Sequence, residues 1–270
     1  MANFALGPVA TSRGYRVFGF DEVGSTSTEA ARAAMAGDVG EAWFAALKQT
    51  AGRGRRGRAW ETPSGNLAAS LLIVPDSDPA VAATLGFVAG VALNRALATV
   101  VPQGVVRQGI DGAHRIALKW PNDVLADGAK LAGMLLEAHK RADGRQAVVI
   151  GIGINIVSAP EGLPYPATSL TELGFDISAE TLFTALAEEW VAAYELWDGG
   201  RNVATVLRLW REAATGIGSE VAVAQDGNVV RGVFETIDDT GRLIVRSNDN
   251  SRIAITAGDV HFGVTASVRA

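Results

Sequence analysis

Hydrophobic positions along the chain fall into three textures. YRVFGF (residues 15–20), AWFAALKQ (42–49) and NLAASLLIV (66–74) are short runs rich in aromatic and aliphatic residues, bounded by polar or glycine-containing segments. They read as strands. GSTSTEAARAAMAGD lies between the first two. Thr26 and Glu29 have the spacing of a capping box, which predicts a short alanine-rich helix with Thr26 as its N-cap. A longer apolar stretch begins at Asp78-Pro79 and runs to about Val100. Aspartate before proline is a helix-start signal, and the longest apolar run within it, Ala80 to Leu93, is about 14 residues against the ~20 a membrane span needs, so it predicts a buried helix.

The second texture runs through RIALKW, DVLA, KLAGMLLEAHK and QAVVIGIGINI. Asp127-Gly128 and Asp143-Gly144 separate successive runs, a hairpin signal, so this half of the sheet is predicted to be mostly antiparallel. In RIALKW, alternation puts Ile116, Leu118 and Trp120 on one face and Lys119 on the other. Two helices follow, at about 179–197 and 203–214. From about Ile217 the third texture takes over. EVAVA, VVRGVFETI, RLIVR and RIAIT are separated by Asp226-Gly227, DDTG and NDN. That pattern predicts a small all-β barrel of about 50 residues. The division is therefore 1–215 for a larger unit and 216–270 for the barrel. Only about 15 residues precede the first strand, which leaves no room for an N-terminal domain.

Composition narrows the chemistry. The 270 residues contain no cysteine, which excludes disulfides, zinc–thiolate sites and a cysteine nucleophile, and fits a reducing cytosol. The N-terminus lacks the basic start and sustained apolar run of a signal peptide. The net charge of −5 does not point to nucleic acid or an anionic membrane. Against that background, GRGRRG at residues 52–57 stands out. Its glycines match the spacing of a dinucleotide-binding loop, but no helix opens on them. Pro63, Ser64 and Gly65 follow, and the next strand begins near Leu67, too soon for a crossover helix. A P-loop fails because no Lys-Ser/Thr follows the last glycine. A nucleic-acid patch would call for aromatic interleaving or further basic residues, and only Trp60 is near. A solvated arginine loop without a role is the bland alternative. The chemistry fits better to a loop whose glycines expose backbone N–H groups and whose arginines grip phosphate or carboxylate over a reactive intermediate.

Other segments carry chemistry. KWPND (119–123) and KLAG (130–133) put two lysines around a Pro-Asn-Asp turn. Asp123 has the chemistry to orient a lysine or hold Mg²⁺. Asn155, at the end of GIGIN, is an amide where the strand pattern asks for an aliphatic residue, and an amide suits a purine edge. ATSL (167–170) alone reads as a helix cap.

In this order, GST, KQTAGRGRRGRAW, LKWPNDVL, KLAG, GIGIN, ATSL and a C-terminal barrel closely resemble the biotin protein ligases, from about residue 16 to 263. The resemblance implies an α+β fold: a mixed, mostly antiparallel sheet flanked by helices, class II synthetase-like, with a small SH3-like barrel. It implies an ATP-dependent ligase of the cytoplasm. Biotin's carboxylate attacks the α-phosphate of ATP, with Mg²⁺, to give biotinyl-5′-AMP. A lysine of a biotin carboxyl carrier protein domain then takes the biotin. Ser25, Thr26 and Gln49 match positions that bind the biotin head. Residues 53–55 match the loop core, with Arg53, Gly54 and Arg55 on the carboxylate and α-phosphate. Arg55 and Arg58 match contacts to the adenylate, and Lys130 the lysine at the biotinyl–phosphate junction. Lys119, Asn122 and Asp123 match the ATP and Mg²⁺ positions, and Asn155 the adenine reader. Trp60 and Asn66 shape the loop and the pocket. Ser27 departs from the family's usual Asn or Gln, and a water can bridge the lost reach. Relatives exist as monomers and as homodimers through the central sheet, so both assemblies stay open. Without a helix-turn-helix segment, no DNA binding is expected, and no membrane partner. The rivals are a lipoate or octanoate ligase of the same fold, which the intact arginine loop opposes, and a nucleic-acid binder.

Overall fold

The structure, a computed structural model, describes residues 2–101, 116–225 and 228–262. A short helix α1 (Pro8–Ser12) leads to β1 (Arg16–Phe20), α2 (Thr26–Met35), β2 (Ala42–Ala46) and β3 (Leu67–Ile73). Helices α3 (Pro79–Ala82) and α4 (Leu85–Val100) follow, then β4 (Ile116–Lys119), β5 (Asp123–Ala126), β6 (Ala129–Lys140) and β7 (Gln146–Ile154). Helices α5 (Ala179–Trp197) and α6 (Val203–Ala213) lead into β8 (Glu220–Gln225), β9 (Asn228–Ile237), β10 (Leu243–Arg246), β11 (Arg252–Ile255) and β12 (Asp259–Phe262).

Seven strands form one sheet in the order β1-β2-β3-β7-β6-β5-β4. Only β1 and β2 run parallel; every other neighbouring pair is antiparallel. Alternation sends Leu67, Ala69, Leu71 and Ile73 of β3 into the main core with α4, α5 and α6. Leu72, Phe44 and Val149 face the other way and pack on Ala30 and Ala34 of α2. That helix covers only part of its face, and the rest of the face is open to a ligand. Asp127 and Gly128 both have positive φ, as a tight two-residue β5–β6 hairpin requires. The apolar stretch 79–100 has the length and hydropathy of a membrane span, yet most of it is buried here against α5 and α6.

The barrel is a five-stranded antiparallel, SH3-like sheet in the order β11-β10-β9-β8-β12. Its fifth strand, β12, is too short and too polar to stand out in the sequence, and pairs with β8. The β8–β9 hairpin forms as expected, but its turn at Asp226 and Gly227 lies outside the described residues. The barrel is fastened to the larger unit by the Trp120 indole, which donates to the Gly241 carbonyl at 2.9 Å, and by Phe87 packed under Gly241.

Two local expectations fail. Ser25, not Thr26, is the N-cap of α2, and no side chain caps it. The Thr26 hydroxyl is engaged across the cavity instead, and Glu29 pairs with Arg32. The helix expected from 78 to 100 is broken at residues 83–84. There the Thr84 hydroxyl donates to Val81 O and accepts from the Trp197 indole, which holds a tighter turn between the two segments.

Candidate active site

The open face of the sheet has a floor of small residues. Strand register aligns Ala68, Gly153, Gly133, Asp123 and Lys119 in one row across β3, β7, β6, β5 and β4. The neighbouring row holds Ser70, Gly151 and Leu135. A side chain at Gly153 would strike the Trp60 ring within 2.2 Å, and one at Gly133 would meet both Trp60 and the Lys130 ammonium. The glycines of GIGIN and KLAG therefore leave a flat floor on which an aromatic ring lies. Above it is a cavity of about 740 Å³, counted with its open mouth.

At one end, the cavity is neutral and buried. The Ser70 hydroxyl sits 2.8 Å from that of Thr26 and 3.0 Å from that of Ser27. Gln49 Oε1 accepts from both the backbone and the hydroxyl of Thr26, and Gln49 Nε2 donates to the Thr62 hydroxyl. Ser25 is buried behind this cluster, its hydroxyl without a hydrogen bond in the described residues, and does not line the cavity. Ser70 and Thr62 are members the motifs did not disclose. Ser70 left one signal, a single hydroxyl inside an otherwise unbroken apolar strand.

At the other end, the arginine loop closes over the charged groups. Bridges Gln49–Thr62 and Arg53–Ala59 hold its base. Gly52 lets the chain pass the Trp60 carbonyl, where a Cβ would sit 2.2 Å away. Arg56 and Gly57, both at positive φ, form a single 3₁₀ turn. No helix opens on these glycines. Every loop arginine is paired, with three partners among the four. Arg53 donates to Glu137 at 2.8 Å, and Arg55 to Asn122 Oδ1 at 2.9 Å. Arg56 and Arg58 share Asp259 of the barrel, at 3.0 and 2.5 Å. Burial lowers the pKa of Arg55 from its usual value. Burial alone would raise that of Asp259, but the Arg58 hydrogen bond and the charges of Arg58, Arg56 and Arg55 outweigh it and hold the carboxyl below its usual value.

Lys130 stands at the centre. Its ammonium lies 2.7 Å from Asp123 Oδ1 and 5.5 Å from the ring centroids of both Trp60 and Tyr165. The contact is an ion pair between two largely buried side chains. Lys119 is the cross-strand partner of Asp123, stands over the Phe262 ring and does not line the cavity. Burial lowers its pKa, against the pull of Asp123. Asn122 also donates to Met134 O. Asn155 is buried outside the cavity wall. Its Nδ2 donates to Thr168 O, and its Oδ1 has no partner in the described residues. Asn66 Oδ1 accepts from Ile156 and Val157, fixing the chain as it leaves GIGIN. Ser169 and Glu172 cap each other's backbone N–H, but they close a turn at 170–174 where no helix forms, so ATSL is not the helix cap expected.

Comparison with known proteins bears on this arrangement. The Biotin/lipoate A/B protein ligase family matches residues 40–155, and the Biotin protein ligase C terminal domain matches 216–263. A biotin–[acetyl-CoA-carboxylase] ligase of Paracoccus denitrificans is 37% identical over 88% of this chain and 97% of its own length. One from Mycobacterium tuberculosis is 35% identical over 88% and 86%. A biotin protein ligase from Aquifex aeolicus, solved with biotin and ATP, superposes with a TM-score of 0.74 over 92% of this chain and 98% of its own, at 22% identity, a likeness of fold. One from Leishmania major, solved with biotinyl-5-AMP, gives 0.60 over 90% and 99% at 25% identity.

Proposed function

We infer that this chain, which belongs to the biotin protein ligase family, is an ATP-dependent biotin–[acetyl-CoA-carboxylase] ligase whose two cavity ends divide recognition from chemistry. The observation that carries this reading is one cavity with a neutral hydroxyl–amide end and a cationic end, joined by a floor of small residues and roofed by the arginine loop. The hydroxyls of Thr26 and Ser27, held by Ser70, together with Gln49 suit the ureido head of biotin, which offers paired N–H donors and a carbonyl acceptor. Ser25 supports that cluster from behind. The biotin chain then runs along the glycine floor and delivers its carboxylate to the cations.

In the first step a carboxylate oxygen bonds to the α-phosphorus of ATP and the bond to pyrophosphate breaks. Two anions must meet, so cations placed in advance carry the catalysis. Lys130, held by Asp123 between two aromatic faces, is assigned to the carboxylate–phosphate junction. Arg53, Gly54 and Arg55 of the loop line the same cavity and act with it. Arg58 and Lys119 hold the remaining phosphate charge, Asn122 orients Arg55, and Asn155 offers its free Oδ1 to the amino group of adenine. Mg²⁺ fits as an ion carried on the nucleotide. Asp123 Oδ1 is buried and already paired with Lys130 at 2.7 Å, so an ion would share that carboxylate with the ammonium, and no cluster of three metal-binding side chains occurs among the described residues. One carboxylate plus phosphates is a common Mg²⁺ arrangement, and an ion held there by Asp123 would supply charge neutralisation for the pyrophosphate.

In the second step the neutral ε-amine of a carrier lysine bonds to the biotinyl carbonyl carbon, AMP leaves and the amine loses a proton. The roof keeps water from the anhydride meanwhile. The acceptor assigned is a biotin carboxyl carrier protein domain of an acetyl-CoA carboxylase, and the compartment assigned is the cytoplasm. Residues 1–215 supply the catalytic unit, and 216–270 a barrel that contributes Asp259 to the roof. A homodimer through the central sheet would use the outer edge of β1. The internal pairing of all four loop arginines speaks against a nucleic-acid patch. The test incubates the chain with biotin, ATP, Mg²⁺ and a carrier domain. Streptavidin-reactive carrier is expected; transfer of lipoate with none of biotin would overturn the reading.

A further inference from the structure

The motif-derived roles do not use Glu137. It lies on β6 four residues beyond Gly133 and two beyond Leu135, so strand alternation puts it on the same face, just beyond Leu135, the cavity-lining residue on that face. Its Oε2 accepts from the Arg53 guanidinium at 2.8 Å, across 84 residues of sequence. Arg53 belongs to the first arm of the arginine loop, and its backbone bridges Ala59 on the second arm. The ion pair thus ties the whole hairpin to the central sheet. The opposite side is tied to the barrel through Asp259. Both Arg53 and Arg55 line the cavity, Arg53 bonded to Glu137 on the sheet and Arg55 to Asn122 in the turn.

We propose that Glu137 is a positioning residue: through Arg53 it latches the first arm of the loop across the cavity and so sets how long the adenylate is retained. This rests on the ligase reading. The pair is partly exposed, at 43% for Arg53 and 23% for Glu137, so its effect is a modest one on loop opening and not on the chemical step. Glu137→Gln removes the charge and keeps the shape. The same charge removal on the other partner, Arg53→Gln, gives a double-mutant cycle.

The experiment uses the full chain. It follows the pyrophosphate burst, and then the loss of labelled biotinyl-5′-AMP to solution in a chase with unlabelled biotin. Glu137→Gln is expected to leave the burst rate unchanged and to release adenylate about 2- to 5-fold faster, the range of a partly exposed ion pair. The double variant is expected to release it no faster than Arg53→Gln alone. Rising salt should bring the wild-type release rate towards that of Glu137→Gln, because a partly exposed ion pair is screened. Unchanged release from Glu137→Gln, or effects that multiply in the double variant, would overturn the latch. Failure of the wild-type chain to form any adenylate would overturn the ligase reading itself, and the latch with it.

Discussion

The two ends of the cavity are built differently. The neutral end stands on regular elements: Thr26 and Ser27 open α2, and Ser70 is in mid-β3, with relative exposures of 2%, 6% and 0%. Its hydroxyls are bonded to one another before any ligand arrives. The charged end stands on a loop and a turn, and its cations are matched with oxygens from four places: Glu137 on β6, Asn122 in the turn, Asp123 on β5 and Asp259 in the barrel. A buried hydroxyl cluster fixes shape, because a guest that cannot replace its bonds leaves polar groups unmet. A set of partly exposed ion pairs can exchange one carboxylate for another, or for a phosphate, at small cost. Selection thus falls to the rigid end and reaction to the adjustable one.

Breaking the charged end should have the largest effect. Lys130→Ala removes the ammonium between Trp60, Tyr165 and Asp123. It is expected to slow adenylate formation by about 100-fold or more, the scale for losing one preorganised charge donor, with a much smaller loss of biotin affinity. The pyrophosphate burst checks the first part and calorimetry the second. Breaking the neutral end should come next. Ser70→Ala takes the shared partner from Thr26 and Ser27, and leaving buried hydroxyls unmet should weaken biotin binding by about 10-fold.

The smallest effect sharpens the picture of the roof. Asp259 titrates below its usual 3.8 in the folded chain. A lowered carboxyl pKa means that its stabilisation is fully present above 3.8 and is lost as pH falls through the lower folded value. The melting temperatures of wild type and Asp259→Asn should therefore differ by a constant amount above about pH 5, reflecting under ~1 kcal/mol for a partly exposed clasp. The gap should close on the acid side. A gap that widens on acidification would contradict the clasp.

Much of this site was legible because its signals are local. KWPND, KLAG, GIGIN and GRGRRGR each place their chemistry within a few residues, and the alternation in RIALKW puts Lys119 on the face opposite Leu118 and Trp120, in the row of Asp123. What escaped is what only tertiary structure brings together. Asp259 reaches Arg56 and Arg58 across 203 and 201 residues, from a strand too short to recognise. Glu137 looks like a polar position on an exposed strand end. Arg53 and Arg55 are equivalent in a repeat of glycine and arginine. Only the 3₁₀ turn at Arg55–Gly57 separates them, sending Arg55 towards Asn122 and leaving Arg53 to Glu137. Thr26 was misassigned as a cap because the spacing to Glu29 fits a capping box, whereas its hydroxyl has stronger use across the cavity with Gln49 and Ser70. The fold was legible in its order of elements, and the kink at residues 83–84 was not, since it depends on the distant Trp197 indole.

The division of labour is tested most directly by the pyrophosphate burst rate measured against biotin concentration for Ser70→Ala and Lys130→Ala. Ser70→Ala should reach the wild-type plateau at a higher biotin concentration. Lys130→Ala should reach a far lower plateau at nearly the wild-type half-saturation. If both variants lost plateau and half-saturation in parallel, the two ends would not divide recognition from chemistry.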